Sequence, residues 1–537
     1  MKRRDFITGA AVSAVSFTYI LSTAHTLKNG NSKSMASDAV TDFELNELTV
    51  EDLQQRMKSG RYSSEMLTQL YLKRIEEIDK KGPSLNSVIE VNPDAVQIAR
   101  KMDEERRKGK IRGPLHGIPI LLKDNIDTAD KMMTTAGALA LLGNKATEDA
   151  FLVKRLRAAG AVILGKTNLS EWANFRSSRS VSGWSSRGGQ TKNPYILDRS
   201  PCGSSSGSAV AVAANLCALA VGTETDGSIA CPASMNGIIG IKPTVGLVSR
   251  SGIIPISHTQ DTAGPFARTV RDAALLLNVL TGVDVNDHVT LESEGKAQPD
   301  YTRFLDMNGL HGKRIGVEKT FLKRHEAIDP LVKKALDQMR SKGAEILEVE
   351  FINKQKELGA DEFKVLLYEF KEGVNNYLSK GHAPVKTLQD VISFNLQNEK
   401  KAMPYFKQEI LDSAQAKGGL DSKEYQEALA KTHSMRKTLD SLLEEHRLDA
   451  VCGPATGTAW CIDFINGDFW TGYGSYGPAA VAGYPSITVP MGAVHELPIG
   501  ITFMGKAYDE HKLLAIAFAY EQASKNRKPP TFKKTLV

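Results

Sequence analysis

Cysteine is scarce in this chain, with five residues among 537. Their spacing is not that of a zinc site, and no His-Glu-x-x-His segment occurs, so the sequence implies no metal and no other cofactor. An odd number of cysteines leaves at least one thiol free. The pairing of the others stays open, because the spacing alone decides nothing. The five are Cys202, Cys217, Cys231, Cys452 and Cys461.

Net charge is also low for a chain of this length, at +6. Part of the positive excess lies in the first residues, and no basic stripe follows. Proteins that bind nucleic acid through the phosphate backbone carry such a stripe or patch. We therefore expect no nucleic-acid partner.

Long apolar runs are missing after residue 24, so no stable membrane insertion is expected once the leader is removed. Residues 1–24 have the layout of a signal peptide, with Arg3 and Arg4 ahead of an uncharged run and a small-residue site that ends at Ala24. The arginine pair followed by Phe6 resembles a twin-arginine export signal. An uncleaved anchor is the alternative. Residues 25–41 are polar and small, which predicts a flexible linker. The leader predicts that the protein is exported and periplasmic.

The rest of the chain alternates strand-like and helix-like segments. Apolar runs at 118–122, 161–164 and 486–489 are typical of strands, and helical patterns lie between such runs. This alternation predicts an α/β fold, as one large domain over residues 42–537 with a central mixed sheet flanked by helices. Residues 357–445 are largely helical and charged, which predicts a cap-like region. The oligomeric state stays open.

Two loops rich in glycine and serine stand out, at 200–208 and 222–233. Such composition usually marks turns or linkers. Here the loops flank a small, apolar segment, 210–221, that is expected to be buried. Loops held by buried elements are common places for binding and catalytic residues.

Two short patterns in this region point to other protein classes. Residues 160–167 match the P-loop letter for letter, but 161–164 is itself expected to be a strand, so we reject a nucleotide site. Residues 203–207 match the Gly-x-Ser-x-Gly elbow of α/β-hydrolases, which would make Ser205 the nucleophile. That elbow must follow an apolar strand, and 198–201 is not one. The Ser205 esterase stays as a minor alternative.

Three motifs in order resemble the amidase signature family. They are Gly203-Ser204-Ser205-Ser206-Gly207-Ser208-Ala209, then Glu224-Thr225-Asp226-Gly227-Ser228-Ile229, and upstream Gly117-Ile118-Pro119-Ile120-Leu121-Leu122-Lys123-Asp124. The resemblance runs from about residue 45 to residue 523. It implies an enzyme that hydrolyses a small-molecule or peptide amide to a carboxylic acid and ammonia.

The resemblance also implies the roles of individual residues. Ser228 would be the nucleophile, Ser204 the proton relay and Lys123 the base, with the relay serine on a cis peptide bond after Gly203. Lysine accepts a proton only when it is neutral, so its pKa must be lowered by burial. The oxyanion hole would be formed by backbone N–H groups around Thr225, Asp226, Gly227 and Ser228.

Three positions depart from the family pattern, which usually has glycine where this chain has Cys202 and Asp226, and arginine where it has Ala230. The Glu-Thr-Asp-Gly-Ser-Ile form is most similar to bacterial peptide amidases, which act on C-terminal carboxamides. Two alternatives come from other classes. One is a transamidation protein similar to the A subunit of the tRNA-dependent amidotransferase, and the other is a non-catalytic binding protein on the same fold.

Overall fold

A mixed sheet of eleven strands runs through residues 43–537, which is the part of the chain that the computed structural model describes. The expected leader and linker, residues 1–24 and 25–41, lie outside this part. Residues from Glu44 to Val537 form one compact unit with helices packed on the sheet. The predicted α/β class with a central mixed sheet is confirmed.

The strands vary from two to nine residues. In chain order they are β1 Val88–Val91, β2 Pro119–Lys123, β3 Val162–Thr167, β4 Trp184–Ser185, β5 Gly189–Gln190, β6 Leu219–Glu224, β7 Ile239–Lys242, β8 Thr262–Ala267, β9 Arg314–Glu318, β10 Glu345–Val349, β11 Ala450–Pro454, β12 Ser486–Val494 and β13 Leu497–Met504. The order across the large sheet is β1-β3-β2-β6-β8-β7-β12-β13-β11-β9-β10, and β4 pairs with β5 in a separate ribbon.

Helices connect most of these strands. The α-helices are α1 Val50–Lys58, α2 Ser64–Arg74, α3 Ala95–Arg107, α4 Phe151–Ala158, α5 Ser206–Ala213, α6 Ala230–Met235, α7 Val270–Leu280, α8 Asp329–Ser341, α9 Ile352–Lys380, α10 Leu388–Gln397, α11 Glu399–Ala402, α12 Glu409–Gln415, α13 Lys423–Glu445, α14 Gly477–Ala482 and α15 Glu510–Ser524. Short turns of other helix types are Ile75–Lys81, Leu139–Leu141, Glu171–Asn174, His288–Ser293, Tyr301–Phe304 and Lys319–Phe321.

The apolar segment between the two glycine and serine loops is buried, as expected, and divides into α5 and β6. Strand β6 pairs in parallel with β2, with Leu122 opposite Val221. Because carboxyl ends of parallel strands meet at one edge of a sheet, Lys123 at the end of β2 lies beside the end of β6. This pairing places the base motif next to the second serine loop.

The P-loop match and the nucleophile-elbow match both lie in the structural surroundings that the sequence predicted. Helix α4 precedes the P-loop match, and β3 lies inside it, so no phosphate-binding loop forms. The residues before Ser205 form no strand. Residues 357–445 are mainly helical, as expected, and α9 begins earlier, at Ile352. In the described part of the chain no helix is both long and apolar enough to cross a membrane.

Candidate active site

Lys123 lies in a fully buried position at the end of β2, behind the apolar residues that precede it. Its Nζ is 2.7 Å from Oγ of Ser204 and 2.8 Å from Oγ1 of Thr223, and it also contacts the carbonyl oxygen of Thr223. Burial lowers the pKa of Lys123 to about 7, although the carboxylates of Asp261 and Glu224 oppose this shift. Near neutral pH a large fraction of the amine can therefore accept a proton.

Ser204 belongs to the loop that leads into α5, and the peptide bond before it is cis, as the resemblance implied. Its own carbonyl oxygen accepts a hydrogen bond from the N–H of Ser170. A side chain on Gly203 would collide with Oγ of Ser170, 2.2 Å from the Cβ position, so only glycine fits there. The close approach of this segment fixes the relay serine against the base.

Ser228 lies in the turn between β6 and α6. Its carbonyl oxygen accepts a hydrogen bond from the N–H of Ser205, which joins the two serine loops through the backbone. Ser228 is 8% exposed, whereas Ser204 is fully buried. Of the two serines, Ser228 is the one that a substrate can reach.

The turn that contains Ser228 is shaped by Glu224, whose Oε2 accepts hydrogen bonds from the N–H groups of Ile229 and Ala230. The N–H groups of Asp226, Gly227 and Ser228 donate to no partner within residues 43–537. Unpaired N–H groups on one turn can converge on a single oxygen atom, which is the requirement for an oxyanion hole. The N–H of Thr225, the fourth expected donor, likewise has no partner within residues 43–537, and its hydroxyl donates to Asp261.

Gly227 has a φ of +79°, and a side chain there would meet the ring of Tyr476 at 2.4 Å. Both the backbone and the ring therefore require glycine at this position. Tyr476 is buried, and it lies edge-on against Trp470, which is 44% exposed. An aromatic surface thus leads from solvent to the turn that contains the nucleophile candidate.

Asp226 introduces a carboxyl group beside the candidate oxyanion hole. Its carboxyl group lies close to that of Glu362 on α9, and Glu362 accepts a hydrogen bond from Gln260. Burial, with Glu362 and Glu224 close by, raises the pKa of Asp226 well above its usual range. Burial also raises the pKa of Glu362. Two carboxyl groups in contact hold a proton, so the negative charge next to the oxyanion is reduced.

Ser205 has a different environment from the other two serines. Its hydroxyl donates to the carbonyl oxygen of Thr223 and accepts from the N–H of the same residue, and the side chain is fully buried. Both bonds attach α5 to β6. This arrangement gives Ser205 a structural role and does not favour the esterase alternative.

A cavity of about 650 Å³ opens next to the base. Asn125, Thr223 and Thr225 line its inner end, and Tyr377 of α9 forms part of its wall. Ser204 and Ser228 do not line it. The cavity therefore reaches Thr223, which contacts Lys123, and Tyr476 does not line it.

Sequence patterns missed three residues of this site. Thr223 contacts the base, Glu224 folds the turn and Glu362 pairs with Asp226, but none belongs to a motif that assigns such a role. A carboxylate shortly before a helix start is typical of an N-terminal cap, and that pattern could have identified Glu224. No group of three histidine, cysteine, aspartate or glutamate side chains that could hold a metal occurs within residues 43–537.

Comparisons with known proteins show the family to which the chain belongs. The family model described as amidase matches residues 66–514. A probable amidase of Arabidopsis thaliana is 43% identical over 91% of this chain and 92% of that protein. The crystal structure of native peptide amidase from Stenotrophomonas maltophilia is 53% identical, with a TM-score of 0.88 over 91% of this chain and 99% of that one. The A subunit of the glutamyl-tRNA(Gln) amidotransferase from Thermoanaerobacter pseudethanolicus is 32% identical over 91% of this chain and 99% of that protein.

Proposed function

The chain belongs to the amidase signature family and is an amide hydrolase, and on this premise we propose that Ser228 is its nucleophile, Ser204 its relay and Lys123 its base. The observation that carries this proposal is the buried contact of 2.7 Å between Nζ of Lys123 and Oγ of Ser204. A serine hydroxyl needs a base to become a nucleophile. The lowered pKa of Lys123 supplies one near neutral pH.

The reaction begins when Oγ of Ser228 attacks the amide carbon and passes its proton to Ser204, which passes its own to Nζ of Lys123. The N–H groups of Asp226, Gly227 and Ser228 stabilise the oxyanion. The proton returns through Ser204 to the amide nitrogen, ammonia leaves and an ester on Ser228 remains. Water then attacks this ester by the same proton route, which releases the carboxylic acid and restores the hydroxyl.

C-terminal carboxamides of peptides are the substrates that we propose. Two features support this: the similarity to a peptide amidase at 53% identity and the aromatic surface of Trp470 and Tyr476 beside the turn of Ser228. Aromatic rings suit the apolar side chains of a peptide. Helix α9 would contribute Glu362 to the site, beside Asp226 in the turn of Ser228.

Ser228→Ala tests this function, with Ser205→Ala as the matched control. Ammonia release from a peptide amide should fall to background in the first variant, because no nucleophile remains. The second should keep most of its activity, since its hydroxyl bonds only to the backbone of Thr223. An inactive Ser205→Ala enzyme together with an active Ser228→Ala enzyme would reverse the assignment.

The amidotransferase alternative differs in the fate of the ammonia. A transamidation protein passes ammonia to an acceptor, whereas a peptide amidase releases it. The 32% match to such a protein makes the comparison worthwhile. Steady ammonia release by the purified chain alone, without tRNA or further protein chains, supports the amidase. Turnover that depends on those additions would favour the alternative.

Export to the periplasm through a twin-arginine signal remains part of the proposal. It rests on Arg3, Arg4 and the uncharged run after them. Changing both arginines to lysine should keep the protein in the cytoplasm when cells are fractionated. Unchanged export would exclude the twin-arginine route.

A further inference from the structure

A disulfide joins the two serine loops. Cys202, two residues before Ser204, is bonded to Cys231, three residues after Ser228, with a Cα–Cα distance of 5.9 Å. The two half-cystines are 4% and 1% exposed. Cys217, Cys452 and Cys461 remain as free thiols. The only covalent link between distant parts of residues 43–537 thus spans the two serines of the proposed triad.

Besides the disulfide, neutral hydrogen bonds join these loops. The hydroxyl of Ser205 donates to the carbonyl oxygen of Thr223 and accepts from the N–H of Thr223, and the N–H of Ser205 donates to the carbonyl oxygen of Ser228 at 3.2 Å. Just after the second loop, Nδ2 of Asn236 donates to the carbonyl oxygen of Pro201 at 2.9 Å. Neutral hydrogen bonds of this kind contribute modestly to stability, since water replaces them in the open state. They limit the separation of the loops much less strictly than a covalent bond does.

The backbone at Cys202 indicates that its side chain matters. Its φ is +58°, in the left-handed region that favours glycine, and the family pattern has glycine at this position. A side chain here is unfavourable unless it gains a specific contact. The bond to Cys231 is that contact.

The disulfide is also in contact with the substrate side of the site. Cys202 and Cys231 belong to a buried apolar cluster with Trp460 and Tyr476. The ring of Tyr476 in turn lies against Gly227. A shift of the two sulfur atoms would therefore move the ring that packs on the oxyanion turn.

We propose that the Cys202–Cys231 disulfide is a positioning element for the reaction, which limits the separation of the two loops that carry the relay serine and the nucleophile. This inference rests on the proposed roles of Ser204 and Ser228. Proton transfer depends steeply on geometry, and a displacement of about 1 Å can lower a rate by about a hundredfold. Loss of the bond lowers kcat at least tenfold, and this decrease exceeds the accompanying change in KM for the peptide amide.

The first experiment is a double-mutant cycle. Cys202→Ala, Cys231→Ala and the double variant are compared with wild type by kcat, KM and near-ultraviolet circular dichroism, with Cys217→Ala as the control for loss of a buried free thiol. Either single substitution already removes the whole disulfide. Both single variants and the double variant should therefore show the same decrease in kcat. Decreases that add up in the double variant, or a kcat per folded molecule within twofold of wild type, would overturn the proposal.

The second experiment uses the unchanged chain, in case the variants fold poorly. The protein is folded in the presence of a trialkylphosphine, which reduces the disulfide to two thiols. The phosphine supplies two electrons and becomes the phosphine oxide by taking the oxygen atom of one water molecule, and the two protons of that water go to the sulfur atoms. After removal of the phosphine, glutathione disulfide accepts the two electrons and two protons and becomes two glutathione molecules. Thiol counting should show two fewer thiols, and kcat should rise at least tenfold. Equal activity before and after reoxidation would overturn the proposal.

Failure of the proposed function would give different results from failure of the disulfide proposal. In that case wild type itself releases no ammonia, or Ser228→Ala remains active. If wild type is active, Ser228→Ala is inactive and the cysteine variants keep their kcat, only the positioning role of the disulfide is wrong. Five free thiols in active, purified wild-type protein would also exclude it.

Discussion

Nζ of Lys123 and Oγ of Ser204 are 2.7 Å apart, and solvent reaches neither side chain. A protonated amine in this position would have lost its hydration without gaining a carboxylate in direct contact. The neutral amine is favoured instead, which is why burial lowers the pKa of Lys123 to about 7. The same burial that is unfavourable for a charged lysine makes the residue a base.

The pH dependence of hydrolysis should follow Lys123. Because only the neutral amine accepts a proton, kcat/KM should rise as pH increases through about 7, and it should stay high until a second group titrates at alkaline pH. Lys123→Arg should be inactive, since guanidinium stays protonated. Lys131→Arg is the control, because Lys131 is an exposed partner of Asp94. An active Lys123→Arg enzyme would exclude lysine as the base.

Lys123→Met should be more stable than wild type near neutral pH, because the variant has no amine that must be kept neutral in the folded state. Lysine has a free pKa of about 10.4, so keeping it neutral in the folded state at pH 8 costs about 3 kcal/mol. The folded pKa is lowered, so wild type gains stability as pH rises from about 7 to 10 and the unfolded lysine loses its proton. The inactive methionine variant should have a higher unfolding midpoint than wild type at pH 7, by a margin that narrows toward pH 10. Lys131→Met should show no such trend.

The carboxyl pair of Asp226 and Glu362 predicts a decrease in activity at alkaline pH. When the shared proton is lost, a negative charge faces the developing oxyanion, and about 1.4 kcal/mol of repulsion lowers the rate tenfold. Asp226→Asn should abolish this decrease, since the amide cannot ionise. Glu362→Gln should instead lower kcat near pH 7, because the new side-chain amide can donate a hydrogen bond to ionised Asp226.

The double variant Asp226→Asn with Glu362→Gln should recover most of the activity lost in Glu362→Gln. Lys242 and Glu224 also face this pair, and both are unchanged in the three variants. An alkaline limb that persists in Asp226→Asn would show that another group controls it.

Gly227→Ala should lower kcat about a hundredfold or more, which is the scale for loss of one oxyanion donor. The added methyl group would strain the backbone and displace the ring of Tyr476. Gly109→Ala is a matched control, with a φ of +74° and open space around its Cβ position. Both variants carry the backbone strain, but only Gly227→Ala should lose activity. Equal kcat in the two variants would remove Gly227 from the oxyanion hole.

Sequence patterns predicted the parts of this site that lie within single segments. The family resemblance identified Lys123, Ser204 and Ser228. The apolar run before Lys123 indicated that it would be at least partly buried, and the composition of 200–233 predicted two loops around one buried segment. The contact between Thr223 and Lys123 was not predictable in this way. It depends on the register between β2 and β6, and periodicity describes each strand separately.

Contacts between distant segments were not predictable from the sequence, for a related reason. Glu362 lies on α9, far along the chain from Asp226. No local sequence pattern indicates which face of α9 contacts the turn that contains Asp226. The same holds for Cys202 and Cys231, since five cysteines allow several pairings. Cys202 was identified as a departure from the family pattern, but only the folded chain supplies its partner.

The pairing of β2 with β6 has a consequence for how activity arises during folding. Lys123 and Thr223 are a hundred residues apart in sequence. Until β6 has been synthesised and has joined the sheet, the lysine is solvated and carries its ordinary positive charge. Such an amine accepts no proton near neutral pH, so a partly folded or nascent chain has serines but no base. Pairing of β6 with β2 is therefore the step that gives the enzyme its base, and a molecule that loses this pairing loses the base with it.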